Sequence, residues 1–210
     1  MKVIRNVNET LKDDLALELQ KGSMLSIVAA DFSMYAFEAL RKELSEIEEL
    51  RFIFTDPTFI QKENSKKEKR EFYIPKINRE RRIYGTEFEV KLRNELNQKA
   101  IAKECAEWIK KKVTFKSNVG NKEITDRFIV LNDIAYYTVN SFTTVDLGCE
   151  QGNNMGVNIL KLESPASQAF IEQFAKLWQN EEELKDVTNN VISSISSAYN
   201  ENAPEFIYFV

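Results

Sequence analysis

The stretch "MLSIVAADFSMYAFEALRKELSEIEELRFIFTD", residues 24–56, decides the fold. It opens with the continuously apolar run "MLSIVAA" (24–30), which reads as a buried strand. Behind it, Phe37, Leu40, Leu44 and Ile47 fall on one face at helical spacing. "RFIFTD" (51–56) is a second strand, closed by Asp56-Pro57. Strand, amphipathic helix and strand in so short a span form a βαβ unit, so a parallel pair is expected.

Upstream, Leu11, Leu15 and Leu19 recur every four residues, with Thr10 as N-cap and Gly22 as stop. Downstream, residues 57–85 break the rhythm with the charge-dense "QKENSKKEKREFYIPKINRERRIYG". So long an excursion in a compact domain is either functional or a solvated loop. A long helix is expected from Thr86. Its apolar residues shift from Phe88, Leu92, Leu96 and Ala100 to Ile101, Cys105, Trp108 and Ile109, which calls for a kink, a change of packing partner, or two helices.

After Lys112 the period changes to that of strands: "VTFKSNV" (113–119), "DRFIVL" (126–131) and "IAYYTVN" (134–140), with turns at Gly120-Asn121 and Asn132-Asp133. The polar connection "NSFTTVDLGCEQGNNMG" (140–156) leads to another strand, "VNILKLES" (157–164). Ser164 and Pro165 read as the cap and first turn of a helix with the stripe Phe170, Ile171, Phe174, Leu177 and Trp178. A last helix is expected over Glu181 to Tyr199, from Leu184, Val187, Val191, Ile195 and Tyr199. The apolar end "PEFIYFV" (204–210) either docks on the domain or leads into a further one.

Composition narrows the chemistry. A chain of 210 residues, 43% hydrophobic and 30% charged, has the makings of a globular protein with a sizeable core. "MKVIRNVNETLKDD" offers no secretory signal and no segment is apolar for long enough to span a membrane, so a cytoplasmic location is expected. Cys105 and Cys149 read as reduced core residues. There is no histidine, which removes His-based acid–base catalysis, Ser-His and Cys-His pairs, and His-ligated metals. Two cysteines cannot make a Cys-only zinc site; an all-carboxylate magnesium site stays open.

Charge is distributed unevenly. Residues 1–56 hold seven Lys and Arg against eleven Asp and Glu, residues 57–127 nineteen against eleven, and residues 146–210 three against ten. Within the basic middle, Lys62, Lys66, Lys67, Lys69, Arg70, Lys76, Arg79, Arg81 and Arg82 alternate with Phe72, Tyr73 and Tyr84. Cations beside aromatic stacking platforms suit sequence-tolerant nucleic-acid binding. The interspersed Glu63, Glu68, Glu71 and Glu80 suit a plain solvated loop instead. Trp108 and Trp178 read as core, and "GCEQGNNMG" lacks both P-loop and dinucleotide spacing.

In the order of its elements the chain resembles the phospholipase D superfamily, whose His-x-Lys-x-x-x-x-Asp strand matches "TDRFIVLN" (125–132) here. "TVNSFTT" looks like a degenerate form of that family's following turn, and "NILKLESPASQAF" like the later strand and helix. More narrowly, "MLSIVAADFSMYAFEALRKEL", "NQKAIAKECAEWIKKKVTFKS", "NSFTTVDLGCEQGNN" and "NENAPEFIYFV" resemble the N-terminal phospholipase D-like domain of large bacterial Swi/Snf-type (superfamily II) helicases, over nearly the whole chain. The resemblance implies an α/β fold: a phospholipase D-like mixed β-sheet flanked by α-helices. Residues 1–180 would form that domain, and residues 181–210 a C-terminal helical extension leading toward a helicase domain.

In that family the histidine is the nucleophile, the lysine steadies the phosphate and the aspartate orients the histidine. Here Thr125, Arg127 and Asn132 take those places. A threonine without a neighbouring base is a poor nucleophile, whereas a guanidinium still suits phosphate. The expected module is therefore non-catalytic. Its nucleic-acid contacts would be Lys66, Lys67, Lys69, Arg70, Arg79, Arg81, Arg82 and Arg127, with the turn Thr138 to Thr144 either a vestigial phosphate site or structural. No metal or cofactor is expected; ATP and magnesium would belong to the motor, since the chain has no Walker-type sequence. The alternatives are a scaffold docking on the motor or a partner protein and, more distantly, a residual phosphodiesterase or nuclease.

Overall fold

The computed structural model describes residues 1–56, 95–119, 123–150 and 158–198. In chain order the elements are β1 (Lys2–Ile4), α1 (Leu11–Glu18), β2 (Met24–Ala29), α2 (Met34–Ala39), α3 (Arg41–Glu46), β3 (Glu49–Phe54) and α4 (Glu95–Lys112). They continue with β4 (Val113–Asn118), β5 (Phe128–Leu131), β6 (Ile134–Tyr137), β7 (Ile159–Leu162), α5 (Gln168–Trp178), β8 (Leu184–Asp186) and α6 (Thr188–Ala198). All eight strands form one mixed sheet in the order β1-β7-β6-β5-β2-β3-β4-β8.

The parallel pair expected from residues 24–56 is present: β2 and β3 run in register from Met24↔Glu49 to Ala29↔Phe54, and β4 joins parallel to β3. The intervening helix is broken at Leu40, where φ is −118°. The break leaves Phe37, Leu40, Leu44 and Ile47 all buried, so the predicted face survives it. Thr10 caps α1 through a capping box with Asp13, each side chain bonding the other's backbone N–H.

Alternation along the strands divides the core in two. Leu25, Ile27, Leu50, Phe52, Phe54, Phe115, Ile129 and Leu131 face the layer that contains α1, α2, α4 and α6. Val28, Ile53, Phe128, Val130 and Ala135 face α5, which brings Phe170, Ile171, Phe174 and Leu177 onto them. The first side carries an aromatic wedge: Phe32 lies 5.1 Å from Phe115 edge-on, and Phe52 lies 4.7 Å from Phe54. Such ring pairs contribute about 0.5–1.5 kcal/mol each beyond their burial.

The chain departs from the sequence reading in five further places. Ser164 and Pro165 do not open a helix; α5 starts at Gln168, with Ser167 at its N-cap. The helix expected from Glu181 is replaced at its start by β8, because the edge of β4 offers unpaired backbone groups. Val119 N–H donates to Glu183 O at 2.8 Å and Val187 N–H to Phe115 O at 2.9 Å. Leu184 therefore packs on the α5 side, while Val187, Val191 and Ile195 enter the opposite core. Cys105 is buried as expected but Cys149 is exposed. Trp108 is core, donating from Nε1 to Leu44 O at 2.9 Å, whereas Trp178 is only partly buried, with Lys116 Nζ 4.6 Å from its ring centre. Finally, β1 has no counterpart in the reading, being a three-residue strand with only Ile4 buried.

The 57–85 excursion, the start of the long helix at Thr86, the Gly120-Asn121 turn, most of "GCEQGNNMG", Tyr199 and "PEFIYFV" lie outside the described residues. Among the described residues no helix is long and apolar enough to cross a membrane.

Candidate functional site

Parallel strands deliver their carboxyl ends to one edge of a sheet, where loops rather than strand partners meet the backbone. Here that edge holds the ends of β2, β3 and β4. Arg127 sits there too, immediately before Phe128, which pairs with both Val28 and Tyr137. Arg127 is half-buried, and its Nε is shielded from solvent without a hydrogen-bond partner among the described residues. Thr55, at the end of β3, is 2% exposed and its hydroxyl likewise has no partner among the described residues. Asn118 Nδ2 donates to Thr55 O at 3.3 Å.

Thr125 is exposed and lines a cleft of about 230 Å³ with Glu123, Asp126, Asn118, Gln173 and Glu183 among its neighbours. Gln173 Nε2 donates to Asp126 Oδ2 at 2.9 Å. Among the described residues no basic side chain lines this cleft, so Thr125 has acidic neighbours there, which disfavour a phosphate. Asn132 lies at the other end of β5. It adopts a positive φ of 53°, a conformation asparagine tolerates, in the β5–β6 turn. Its Oδ1 accepts from Met24 N–H at 3.0 Å, and its Nδ2 donates to Ser23 Oγ at 3.3 Å. A strand rise of about 3.3 Å per residue puts it ~16 Å from Arg127. Arg127 and Asn132 therefore do not form one site: Asn132 is a turn residue that ties β5–β6 to β2.

The turn after β6 is built from internal bonds. Ser141 Oγ donates to Asp31 Oδ2 at 2.7 Å, Phe142 N–H to Asp31 O at 2.8 Å, and Ala30 N–H to Asn140 O at 3.0 Å. Thr143 Oγ1 donates to Asp146 Oδ2 at 2.7 Å, and the Thr138 hydroxyl lies within hydrogen-bond distance of the carbonyls of Tyr137 and Asn158. This is the structural-turn alternative for Thr138 to Thr144. The candidates Lys66, Lys67, Lys69, Arg70, Arg79, Arg81 and Arg82 lie outside the described residues.

The sequence reading missed a buried charged network on the α1 side of the sheet. Asp14, 2% exposed, accepts from Tyr136 Oη at 2.7 Å, Lys161 Nζ at 2.7 Å and Lys2 Nζ at 2.8 Å. Lys161, 6% exposed, also reaches Glu18 at 2.7 Å. Burial pushes the Asp14 carboxyl up, but the bonds from Lys161, Lys2 and Tyr136 outweigh it and hold the group below the ordinary carboxylate value. Burial likewise opposes charge on Lys161, yet Asp14 and Glu18 hold its ammonium above the ordinary lysine value. Burial first, and then the bond to Asp14, push the Tyr136 hydroxyl well up. Two sequence signals were available: Asp14 stands beside the Leu11–Leu15 stripe, and Lys161 alternates inward with Ile159. Among the described residues no group of three or more Cys, Asp or Glu is placed to hold a metal ion.

Among solved structures the chain is similar to the phosphatidylserine synthase of Haemophilus influenzae Rd KW20, at 13% identity and a TM-score of 0.48. The match covers 93% of this chain and 42% of that one, so the chain spans less than half the length of that protein. No family model and no curated protein matches the chain.

Proposed function

We propose that this chain is a non-catalytic, phospholipase D-like accessory module that binds nucleic acid on behalf of an attached superfamily II helicase motor. The observation that carries the binding reading is charge: nineteen Lys and Arg against eleven Asp and Glu in residues 57–127, with Phe72, Tyr73 and Tyr84 interleaved. Arg127 adds a half-buried guanidinium whose Nε has no partner among the described residues, at the position where the resembled family holds phosphate. Catalysis by the family route has no support: the chain has no histidine, Thr125 lies among carboxylates, and Asn132 is engaged elsewhere.

The test is fluorescence anisotropy with labelled single-stranded DNA, duplex DNA and RNA over a range of salt, with the nucleic acid recovered afterwards. The expected result is binding that weakens steeply with salt, log K falling by about 0.7–0.9 per log unit of salt for each phosphate contacted, and intact nucleic acid. No binding at low salt would remove the nucleic-acid reading, and cleavage would remove the non-catalytic one.

A second reading, a scaffold docking on the motor or a partner protein, is favoured by residues 146–210, with three basic against ten acidic residues. It predicts that the separately produced module co-purifies with the rest of its chain, and normal motor assembly after deletion would sink it.

A further inference from the structure

We draw no further inference here: the strongest candidate, the cleft between residues 123–126, α5 and β8 at the carboxyl edge of the sheet, takes its character from the carboxylates of Glu123, Asp126 and Glu183, and no second observation among the described residues says what would fill it.

Discussion

The Asp14–Lys161 network and the carboxyl edge of β2, β3 and β4 both take polar side chains out of water, but they use their hydrogen-bonding capacity differently. At Asp14, Tyr136, Lys161 and Lys2 surround one carboxylate, and Lys161 is balanced again by Glu18. At the sheet edge, Arg127 Nε and Thr55 Oγ1 are shielded without partners among the described residues. A buried charge whose bonds are made holds elements together: β1, α1, β6 and β7 meet there. Leftover donor capacity is instead where an incoming group has something to gain.

The largest effect that would break this contrast is on stability. Asp14→Asn leaves Lys161 without its main counter-charge inside the fold, so a loss of about 3–5 kcal/mol is expected from urea unfolding. Lys161→Met should cost less, because Asp14 keeps Tyr136 and Lys2. The pH dependence has a fixed sign. Asp14 is held below its ordinary value of 3.8, so its stabilisation is present above that value and is lost as pH falls through the lower folded value. Lys161 is held above 10.5, so its share is present below that value and is lost as pH rises through the folded one. Asp14→Asn should accordingly flatten the acid limb of a stability profile. An unchanged limb would mean that the network is not what joins β1 and α1 to the sheet.

Asn132→Ala comes next. It removes a turn asparagine at positive φ and the acceptor for Met24 N–H, for an expected loss of about 1–2 kcal/mol with nucleic-acid affinity unchanged. A loss of affinity without a loss of stability would restore the motif as one site. Arg127→Gln should reverse that pattern: stability within about 0.5 kcal/mol of the parent, since its Nε makes no bond among the described residues, and a salt slope reduced by about one. The smallest effect is expected at Thr125→Ala, where an exposed hydroxyl in an acidic cleft should leave stability and binding unchanged. A drop in binding there would place phosphate in the cleft after all.

How far the fold was legible depended on the range of the forces involved. The βαβ unit was readable because 24–30 and 52–54 are apolar runs and the intervening periodicity is local. Thr10 was readable as a cap because the signal and its effect lie within one helical turn. Leu184 was not, because its spacing to Val187 and Val191 imitates a helix while the free edge of β4, distant in sequence, draws it into a strand. Pro165 carried a helix-start signal that α5 does not use until three residues later. At the candidate site, Arg127 was singled out by its place in the motif that the resemblance supplied. The partners of Asn132 were not, since Ser23 and Met24 lie over a hundred residues away in sequence. The same distance hid Asp14 and Lys161, whose bond spans 147 residues.

The most direct test of the proposed role compares the parent with a variant carrying Lys66→Gln, Lys67→Gln, Lys69→Gln and Arg70→Gln in anisotropy titrations across salt. If these side chains meet phosphates, the variant should bind at least about tenfold more weakly at low salt, and its salt slope should be shallower by about three. Equal affinity and slope in the two proteins would contradict the assignment of nucleic-acid binding to this segment.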